Sequence, residues 1–267
     1  MNNSFKIKTN YHTHNELCKH ASGSPEDYIL TAIENGYEVI GMSDHCAMPN
    51  PSFYRVSFEE LKKYLEEVEI LKEKYKNKIK VLNGLEVDFF SELMPLMKYY
   101  YENTDYIILA VHTLECNGEN VYFHSSYGLT DENKLEKYKK IVVEGIKTNL
   151  FSFVAHPDIF MHGLSEVTDK HREVMEEICK VAAEYDVPLE YNANGLRRIE
   201  YNDFKRKMCY PNKELFLIAK KYNCKVIING DCHDPKYLKS DDKFMNLAYK
   251  EVEELGLNLV TEIRTRK

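Results

Sequence analysis

The sequence contains no tryptophan, no CxxC pair and no apolar run of the roughly 18 residues that a transmembrane helix needs. The polar opening MNNSFKIKTNYH lacks the apolar core of a secretory signal, so neither a signal nor a membrane span is expected. Seven scattered cysteines argue against a disulfide framework and predict a reducing, cytoplasmic location. Neither a GxGxxG pattern nor a P-loop is present, which disfavours nucleotide-binding α/β proteins.

Positive charge is also in deficit. The chain carries 36 lysine and arginine residues against 43 aspartate and glutamate residues, a formal net charge of −7. Such a field does not attract nucleic acids or anionic membranes, so neither is expected as a partner. Any bound phosphate must therefore be held by local cations or dipoles, meaning metal ions, arginines or helix N-termini.

Apolar runs typical of strands alternate with helical patterns along the chain, which predicts a parallel α/β fold. An open doubly wound sheet and a closed barrel both satisfy this alternation. Because 267 residues is normal for one α/β barrel, residues 1–267 are predicted to form a single domain. A hairpin or loop insertion is predicted at 114–129. Strands are predicted near 6–12, 37–43, 79–87, 105–111, 151–155, 187–191 and 225–230. Helices are predicted near 24–36, 57–78, 133–148, 169–186, 212–222 and 241–255.

Candidate metal ligands lie at one end of these strands. His12 and His14 are two residues apart, so on a strand they face the same side, and Asp231 and His233 repeat the arrangement after the last strand. In a barrel, the carboxyl ends of all strands surround one mouth, where such side chains converge. The candidate ligands are His12, His14, His20, His45, Glu86, His112, His156, Asp231 and His233.

Imidazole and carboxylate groups together suit Zn²⁺, Mn²⁺ or Fe²⁺. A single histidine is more often a hydrogen-bonded core or surface residue, but six strand ends that each carry ligands predict metal binding. Several metals can lower the pKa of a bridging water and hold a phosphate group, so no serine or cysteine nucleophile is required. His124 and His162 do not share the pattern and are interpreted as ordinary structural residues, with a place lining the mouth as the alternative. His171 is interpreted as a solvated helix residue, and Cys232 as a packing residue between two ligands.

The chain resembles the PHP (polymerase and histidinol phosphatase) superfamily, in its histidinol-phosphate phosphatase branch. Six motifs carry the resemblance in order along the chain: YHTHNELCKHASG, IGMSDHCAMP, GLEVDFF, AVHTLE, AHPD and GDCHDP. The resemblance implies a distorted, TIM-like (β/α)7 barrel with a trinuclear site at the C-terminal strand ends. The implied ligands are His12, His14, Glu86 and Asp231 for one metal, Glu86, His112 and His156 for a second, and His20, His45 and His233 for the third.

The stretch LEYNANGLRR, 189–198, resembles the phosphatase branch as well. The resemblance implies that Arg197 meets the substrate phosphate, since a guanidinium fork matches phosphate oxygens, with Arg198 as a second candidate. The alternative is that both arginines are ordinary loop cations. Glu86, Asp231 and Arg197 are the candidate catalytic residues.

Two positions depart from the family pattern. Asn10 stands where an aspartate commonly precedes the first histidine pair, and a neutral amide cannot lend negative charge to a ligand. The sequence TLEC after His112 replaces a more usual FxDG pattern, so Glu115 is a candidate for that acidic role. Glu16 and Glu115 are candidates for binding a substrate amino group. Asp44 and Asp158 lie beside ligands and are interpreted either as groups that orient them or as local turn residues.

These features predict a metal-dependent phosphomonoesterase that hydrolyses L-histidinol phosphate by attack of a metal-bridging hydroxide. Two or three divalent ions are expected, zinc first, with manganese or iron as alternatives. One rival is a phosphoesterase that acts on another small phosphate ester or a nucleic-acid end. The other rival is a non-catalytic domain that binds metal. The sequence does not predict the oligomeric state.

Overall fold

The computed structural model describes residues 5–49, 55–116, 119–122, 129–164, 166–201 and 210–266, and every structural statement below concerns these residues. None of the described helices is long and apolar enough to cross a membrane. The organisation of residues 1–267 as one domain stays a prediction.

Parallel strands dominate the described chain. The main sheet has the order β1-β2-β3-β4-β7-β8-β9-β10, and β5 and β6 form a separate antiparallel pair. The strands are β1 (Thr9–Asn10), β2 (Val39–Met42), β3 (Lys80–Asp88), β4 (Tyr106–Ala110), β5 (Thr113–Cys116), β6 (Glu119–Tyr122), β7 (Phe153–Val154), β8 (Leu189–Asn192), β9 (Lys225–Asn229) and β10 (Asn258–Leu259).

A parallel bridge between Thr13 and Cys232 joins the segments that follow β1 and β9. There the His14 N–H donates to the Cys232 carbonyl at 2.8 Å, and the Cys232 N–H donates to the His12 carbonyl at 3.1 Å. This bridge connects the first strand of the sheet to β9, while the unpredicted β10 pairs with the first half of β9. The predicted α/β, TIM-like distorted barrel with parallel strands is confirmed, and an open doubly wound sheet is not what the chain forms.

Helices lie between most of the strands, and several of them begin at residues whose side chains cap the first turn. Ser24 and Ser57 each accept from the third helical N–H, while Asp27 and Glu60 bind back to the cap, which forms two capping boxes. The helices are α1 (Pro25–Glu34), α2 (Phe58–Tyr75), α3 (Met94–Asn103), α4 (Glu132–Lys147), α5 (Asp169–Glu184), α6 (Ala193–Tyr201), α7 (Lys213–Lys221) and α8 (Lys243–Leu255).

A small apolar cluster fills the inside of the barrel beneath the ligands. Tyr106, Ile108 and Ala110 alternate along β4 with residues that face the helices, so they point inward. The Tyr106 hydroxyl donates to the Tyr11 carbonyl at 2.7 Å. Gly84 leaves room for this ring, because a Cβ there would lie 2.3 Å from Tyr106 Cε1. The tyrosine thus forms a floor directly below the residue that precedes His12.

The structure departs from the sequence-based expectations in a few elements. The helices α3 and α6 and the strand β10 were not predicted. The prediction that His171 is solvated is wrong: its side chain is buried, its Nδ1 accepts from the Thr168 N–H at 3.0 Å, and its Nε2 donates to the Leu129 carbonyl at 2.7 Å. The hairpin predicted at 114–129 is confirmed for β5 and β6, while residues 117–118 and 123–128 lie outside the described residues.

Candidate metal centre

The C-terminal strand ends bring all nine predicted ligands together at one mouth. The parallel pairing of β2 with β3 continues as a bridge between His45 and Glu86, so these two ligands are fixed side by side by the backbone. His156 and Asp231 have positive φ values of 29° and 43°, which are unusual for residues with a Cβ. Such backbone strain persists where surrounding contacts impose it, and it clusters at functional sites.

The Glu86 carboxylate lies at the centre of the cluster and is 1% exposed. Both of its oxygens face imidazole nitrogens, at distances from 2.9 to 3.5 Å. Oε1 lies 3.3 Å from His12 Nε2, 3.3 Å from His112 Nε2 and 3.1 Å from His156 Nε2. Oε2 lies 2.9 Å from His45 Nδ1 and 3.5 Å from His14 Nε2. One carboxylate therefore connects ligands from most of the strand ends.

Asp231 forms a second carboxylate centre beside Glu86. Its Oδ1 lies 3.1 Å from His14 Nε2 and 3.7 Å from His12 Nε2. Its Oδ2 accepts from the side-chain amides of Asn192 at 3.3 Å and Asn194 at 3.2 Å. Because the amides occupy one oxygen, the other is left to face the imidazoles.

His20 and His233 complete the outer side of the cluster, with ring centroids 4.9 Å apart. His20 Nδ1 lies 2.7 Å from the Cys18 carbonyl, and His233 Nδ1 lies 2.9 Å from the Asp231 carbonyl. A carbonyl only accepts, so each Nδ1 carries the proton and each Nε2 keeps its lone pair. That tautomer is the one in which Nε2 can bind a metal.

The carboxylates of the cluster are held in their ionised form. Burial acts to raise the pKa of Glu86, but the charges of His112 and His12 outweigh it and hold that pKa well below its usual range. Burial likewise acts to raise the pKa of Asp231, and His12 and His233 hold it well below its usual range. Both groups are therefore available as anionic ligands at neutral pH.

The imidazoles divide into two kinds. Burial acts to lower the pKa of His14, but its hydrogen bond with Asp231 leads the contributions that raise that pKa to about 9. For His45 and His233, burial and then the charge on His14 place the pKa well below its usual value. Neutral imidazoles such as these two are the form that binds metal ions.

The donor set fits a metal site. Four buried polar atoms of the cluster lack a hydrogen-bond partner within the described part of the chain: His12 Nε2, His45 Nδ1, Glu86 Oε2 and His156 Nδ1. His45 Nδ1 and Glu86 Oε2 are close to each other but lack hydrogen-bond geometry. An unpaired buried polar group costs about 1–3 kcal/mol, which a bound cation would offset. In the described part of the chain, four sets of possible ligand atoms lie within 4.8 Å of one another: His14, His45 and His233; His12, His14 and Asp231; His45, Glu86 and His112; and His14, Cys18 and Asp44. The first three consist of predicted ligands only.

Three buried carboxylates stand behind the ligands. Asp44, predicted as an orienting group, lies 3.4 Å from His14 Nδ1 and accepts from the His45 N–H at 2.7 Å. Asp88 lies 3.1 Å from His112 Nδ1 and pairs on its other oxygen with Arg55. Glu190 lies 2.8 Å from His12 Nδ1. Sequence reasoning missed Asp88 and Glu190, although Asp88 shares the strand face of Glu86 two residues earlier.

Asp158, the other predicted orienting group, forms its hydrogen bond in the described part of the chain with the backbone and not with a ligand side chain. It is fully buried and accepts from the Asn212 N–H at 2.6 Å, which anchors the start of α7. Burial raises the pKa of Asp158 to about 7. The structure therefore favours a local structural role for Asp158 over a role in orienting a ligand.

Asn10 forms hydrogen bonds with the backbone of both segments that the bridge between Thr13 and Cys232 joins. Its amide donates to the His12 carbonyl at 3.1 Å, and its Oδ1 accepts from the Gly230 N–H at 2.6 Å. A carboxylate could accept but not donate here. The negative charge that Asn10 cannot lend to His12 is present on Glu190 instead.

The structure places Arg197 behind the ligand cluster. Its guanidinium is 3% exposed, donates to Asp242 at 3.0 Å and to Asn194 at 3.4 Å, and stacks 3.8 Å from the Tyr237 ring. Its Nε has no hydrogen-bond partner in the described chain. Asn194 also donates to Asp231, so it connects the guanidinium to the carboxylate centre.

The remaining candidates differ in their surroundings. Arg198 is half-buried, and its charge, after burial, lowers the pKa of His162. Glu16 is exposed. Cys232 is fully buried, as predicted for a packing residue. His124 lies outside the described residues, and Glu115 is described only through its backbone pairing in β5.

Comparison with known proteins identifies relatives along most of the chain. A model of the PHP domain family matches residues 10–194. The probable histidinol-phosphatase of Deinococcus radiodurans is 28% identical over 271 residues, which cover 96% of each chain. The histidinol-phosphatase of Bacillus subtilis is 25% identical over 225 residues, which cover 72% of this chain and 82% of the relative.

Solved structures share the fold. Histidinol phosphate phosphatase of Lactococcus lactis, complexed with zinc, L-histidinol and phosphate, has a TM-score of 0.74 at 21% identity and covers 97% of this chain and 99% of its own. The putative histidinol phosphatase of Listeria monocytogenes has a TM-score of 0.73 at 19% identity and covers 86% of this chain and 97% of its own. These likenesses confirm the barrel.

Proposed function

Because this chain belongs to the PHP domain family, we propose that it is a metal-dependent phosphomonoesterase that hydrolyses L-histidinol phosphate to L-histidinol and phosphate. The predicted enzyme class, a histidinol-phosphatase-like phosphoric monoester hydrolase, is confirmed at the level of the family. The observation that carries the proposal is the cluster formed by all nine predicted ligands, in a chain whose curated relatives are named for this reaction. Histidine biosynthesis and a cytoplasmic location belong to the same proposal. A reducing compartment is supported by five cysteines that are free and buried: Cys18, Cys46, Cys179, Cys224 and Cys232.

The nine ligands would hold two or three divalent ions, with zinc the first candidate and manganese or iron the alternatives. When bound, such ions would supply an activated water at neutral pH and positive charge for the phosphate oxygens. The partition of the ligands among three ions follows the family resemblance. In support, His12, His14 and Asp231 lie together as that partition requires.

Glu86 and Asp231 would act as permanently ionised groups, because the histidines around them depress the pKa of both. Glu86 presents both oxygens to opposite sides of the cluster, which suits a bridging role. Asp231 has one oxygen fixed by two amides, so its other oxygen is held in a constant direction. These carboxylates would keep the reacting groups in register and accept hydrogen bonds from water.

Arg197 would supply the local cation that a phosphate requires in an acidic protein, with the half-buried Arg198 as a second candidate. The unpartnered Nε of Arg197 supports this role. A guanidinium placed where negative charge develops in the transition state stabilises that charge without reorganisation. The pairing with Asp242 means that the guanidinium is already oriented before substrate arrives.

A related phosphoesterase activity is the alternative. The hairpin of β5 and β6 begins directly after His112, where the sequence TLEC departs from the family pattern. A change at this position would alter recognition of the leaving alcohol while the ligand cluster stayed intact. That combination favours another small phosphate ester over a non-catalytic domain.

Phosphate release from L-histidinol phosphate, compared with other phosphomonoesters and 3′-tailed DNA, tests the proposal. The protein would be stripped of metal and reconstituted in turn with Zn²⁺, Mn²⁺ and Fe²⁺. We expect metal-restored hydrolysis with strong preference for L-histidinol phosphate, and a loss on the order of 100-fold or more in Asp231→Asn.

Asp186→Asn is the matched control, because Asp186 is an exposed residue with positive φ that pairs with Lys225 away from the mouth. It should retain full activity. Metal-restored activity on other esters alone would refute the substrate. A protein with full metal occupancy and no activity on any ester would refute the enzymatic proposal.

A further inference from the structure

Glu190 is a buried carboxylate that sequence reasoning did not identify, and we infer that it is the positioning residue for His12. The inference deepens the proposed function and rests on it for the identity of the reaction. Glu190 lies on β8, is 0% exposed, and its Oε1 is 2.8 Å from His12 Nδ1. Among the three carboxylates behind the ligands, this is the shortest contact to an imidazole nitrogen.

Every group that faces Glu190 is a hydrogen-bond donor. Oε1 accepts from His12 and from the Asn229 amide at 3.1 Å, and Oε2 accepts from the Asn192 amide at 2.8 Å and the His156 N–H at 3.0 Å. An ionised carboxylate accepts on both oxygens and donates nothing, so it satisfies all four donors. A glutamine here would turn its NH₂ group toward two donors in either flip state.

The contact determines which nitrogen of His12 is free. An anionic Glu190 only accepts, so Nδ1 keeps the proton when His12 is in its neutral, metal-binding form, and the lone pair is then on Nε2. That atom lies 3.3 Å from Glu86 and 3.7 Å from Asp231, and it has no hydrogen-bond partner in the described chain. Glu190 therefore aims the lone pair at the two central carboxylates, where a metal ion would bind.

The same carboxylate also ties two ligands together. Its second oxygen holds the backbone N–H of His156, the residue whose φ is 29°. A negatively charged partner on the Nδ1 side also makes an imidazole a stronger ligand, and loss of such a partner commonly costs 10- to about 100-fold in metal affinity. Asp44 and Asp88 hold other imidazoles, so removal of Glu190 should weaken the ion bound through His12 most.

Glu190→Gln tests the inference, with Glu190→Asp as the conservative variant. Zinc dissociation constants would be measured by competition with a chromophoric chelator, beside kcat and KM for L-histidinol phosphate. We expect one zinc ion to bind about 10- to 100-fold more weakly in Glu190→Gln, with kcat reduced and KM nearly unchanged. Glu190→Asp keeps a charge that only accepts, so its zinc affinity should lie closer to wild type.

Glu251→Gln is the matched control for loss of a buried glutamate. Glu251 accepts from the Tyr191 hydroxyl at 2.6 Å and pairs with Lys213, away from the ligands, so its zinc affinity should not change. The inference would be overturned if Glu190→Gln bound zinc within twofold of wild type. It would also be overturned if Glu190→Gln bound zinc at least as tightly as Glu190→Asp. Should Glu190→Gln fail to fold, nitrogen NMR of the zinc-loaded wild-type protein gives the tautomer of His12 directly. A proton on Nε2 in place of Nδ1 would overturn the inference. The zinc measurements need no substrate, so failure of the proposed reaction would remain distinguishable.

Discussion

Replacing Asp242 with asparagine removes the negative charge that faces the Arg197 guanidinium and keeps the cap of α8. Asp242 accepts from the Phe244 N–H at 3.2 Å and the Met245 N–H at 2.9 Å, and asparagine is an equally good helix cap. The change therefore isolates one contact, the 3.0 Å hydrogen bond from Arg197. Both side chains are at least nine-tenths buried, at 3% and 10% exposure.

The expected loss in free energy of unfolding is about 2–3 kcal/mol. A hydrogen bond to a charged group contributes about 1.5–3 kcal/mol, and a buried charge left without its partner costs about 3–5 kcal/mol. The lower part of the combined range applies, because Arg197 keeps its stacking on Tyr237 and its bond to Asn194 in the variant. Asparagine oxygen also remains as a neutral acceptor.

Urea unfolding of the metal-loaded protein would measure the loss, with and without inorganic phosphate. If Arg197 meets phosphate, as proposed, the anion should stabilise Asp242→Asn more than wild type. Asp241→Asn is the control, because Asp241 carries the same charge next to Asp242 but is exposed. Its replacement should change the free energy of unfolding by less than about 0.5 kcal/mol. A loss below about 0.5 kcal/mol in Asp242→Asn would refute the energetic reasoning. An equal phosphate effect in both proteins would refute the phosphate contact.

Three further changes test other parts of the structure. Asp44→Asn should weaken metal binding by about 10- to 100-fold in a chelator competition, since the charge behind His14 is lost, and unchanged affinity would contradict this. Asp158→Asn should stabilise the protein increasingly as pH rises from about 4 to above 7, because burial raises the pKa of that carboxyl to about 7 and its ionisation opposes folding. The stabilisation should reach at most about 4 kcal/mol in urea unfolding at pH 8 and vanish below pH 4, and a pH-independent difference would argue against it. Gly84→Ala should cost at least about 1–3 kcal/mol of unfolding free energy, because the new methyl group would overlap Tyr106, and a neutral effect would show that the ring can move.

The strand ends and their ligands were predictable because two simple periodicities determine them. Residues two apart on a strand share a face, so His12 and His14 were expected to project to the same side. The ends of the apolar runs indicated where the strands end. Helix starts at Ser24 and Ser57 were predictable because capping depends on local sequence. The barrel itself followed from alternation combined with the resemblance of six motifs.

Other features depend on contacts between distant residues, which local patterns do not contain. The α6 segment contains Asn194 and Gly195, which favour a loop, yet the glycine is needed because a Cβ would meet the Tyr210 carbonyl at 2.0 Å. His171 has charged neighbours in the sequence, but its ring caps α5 and reaches Leu129. Glu190 stands inside a buried strand far along the chain from His12, and only the fold shows that the two meet.

The bridge that joins the segments after β1 and β9 makes the metal centre an indicator of barrel closure. Gly230 bonds to Asn10 across 220 residues of chain, and the ligands on either side of that seam come from the first and the last strands of the ring. A chain that lacks β9 and the segment after it holds His12 and His14 without the Asp231 carboxylate. Metal retention would thus distinguish closed barrels from open ones, since the donor set combines residues from the first and the last strands of the ring.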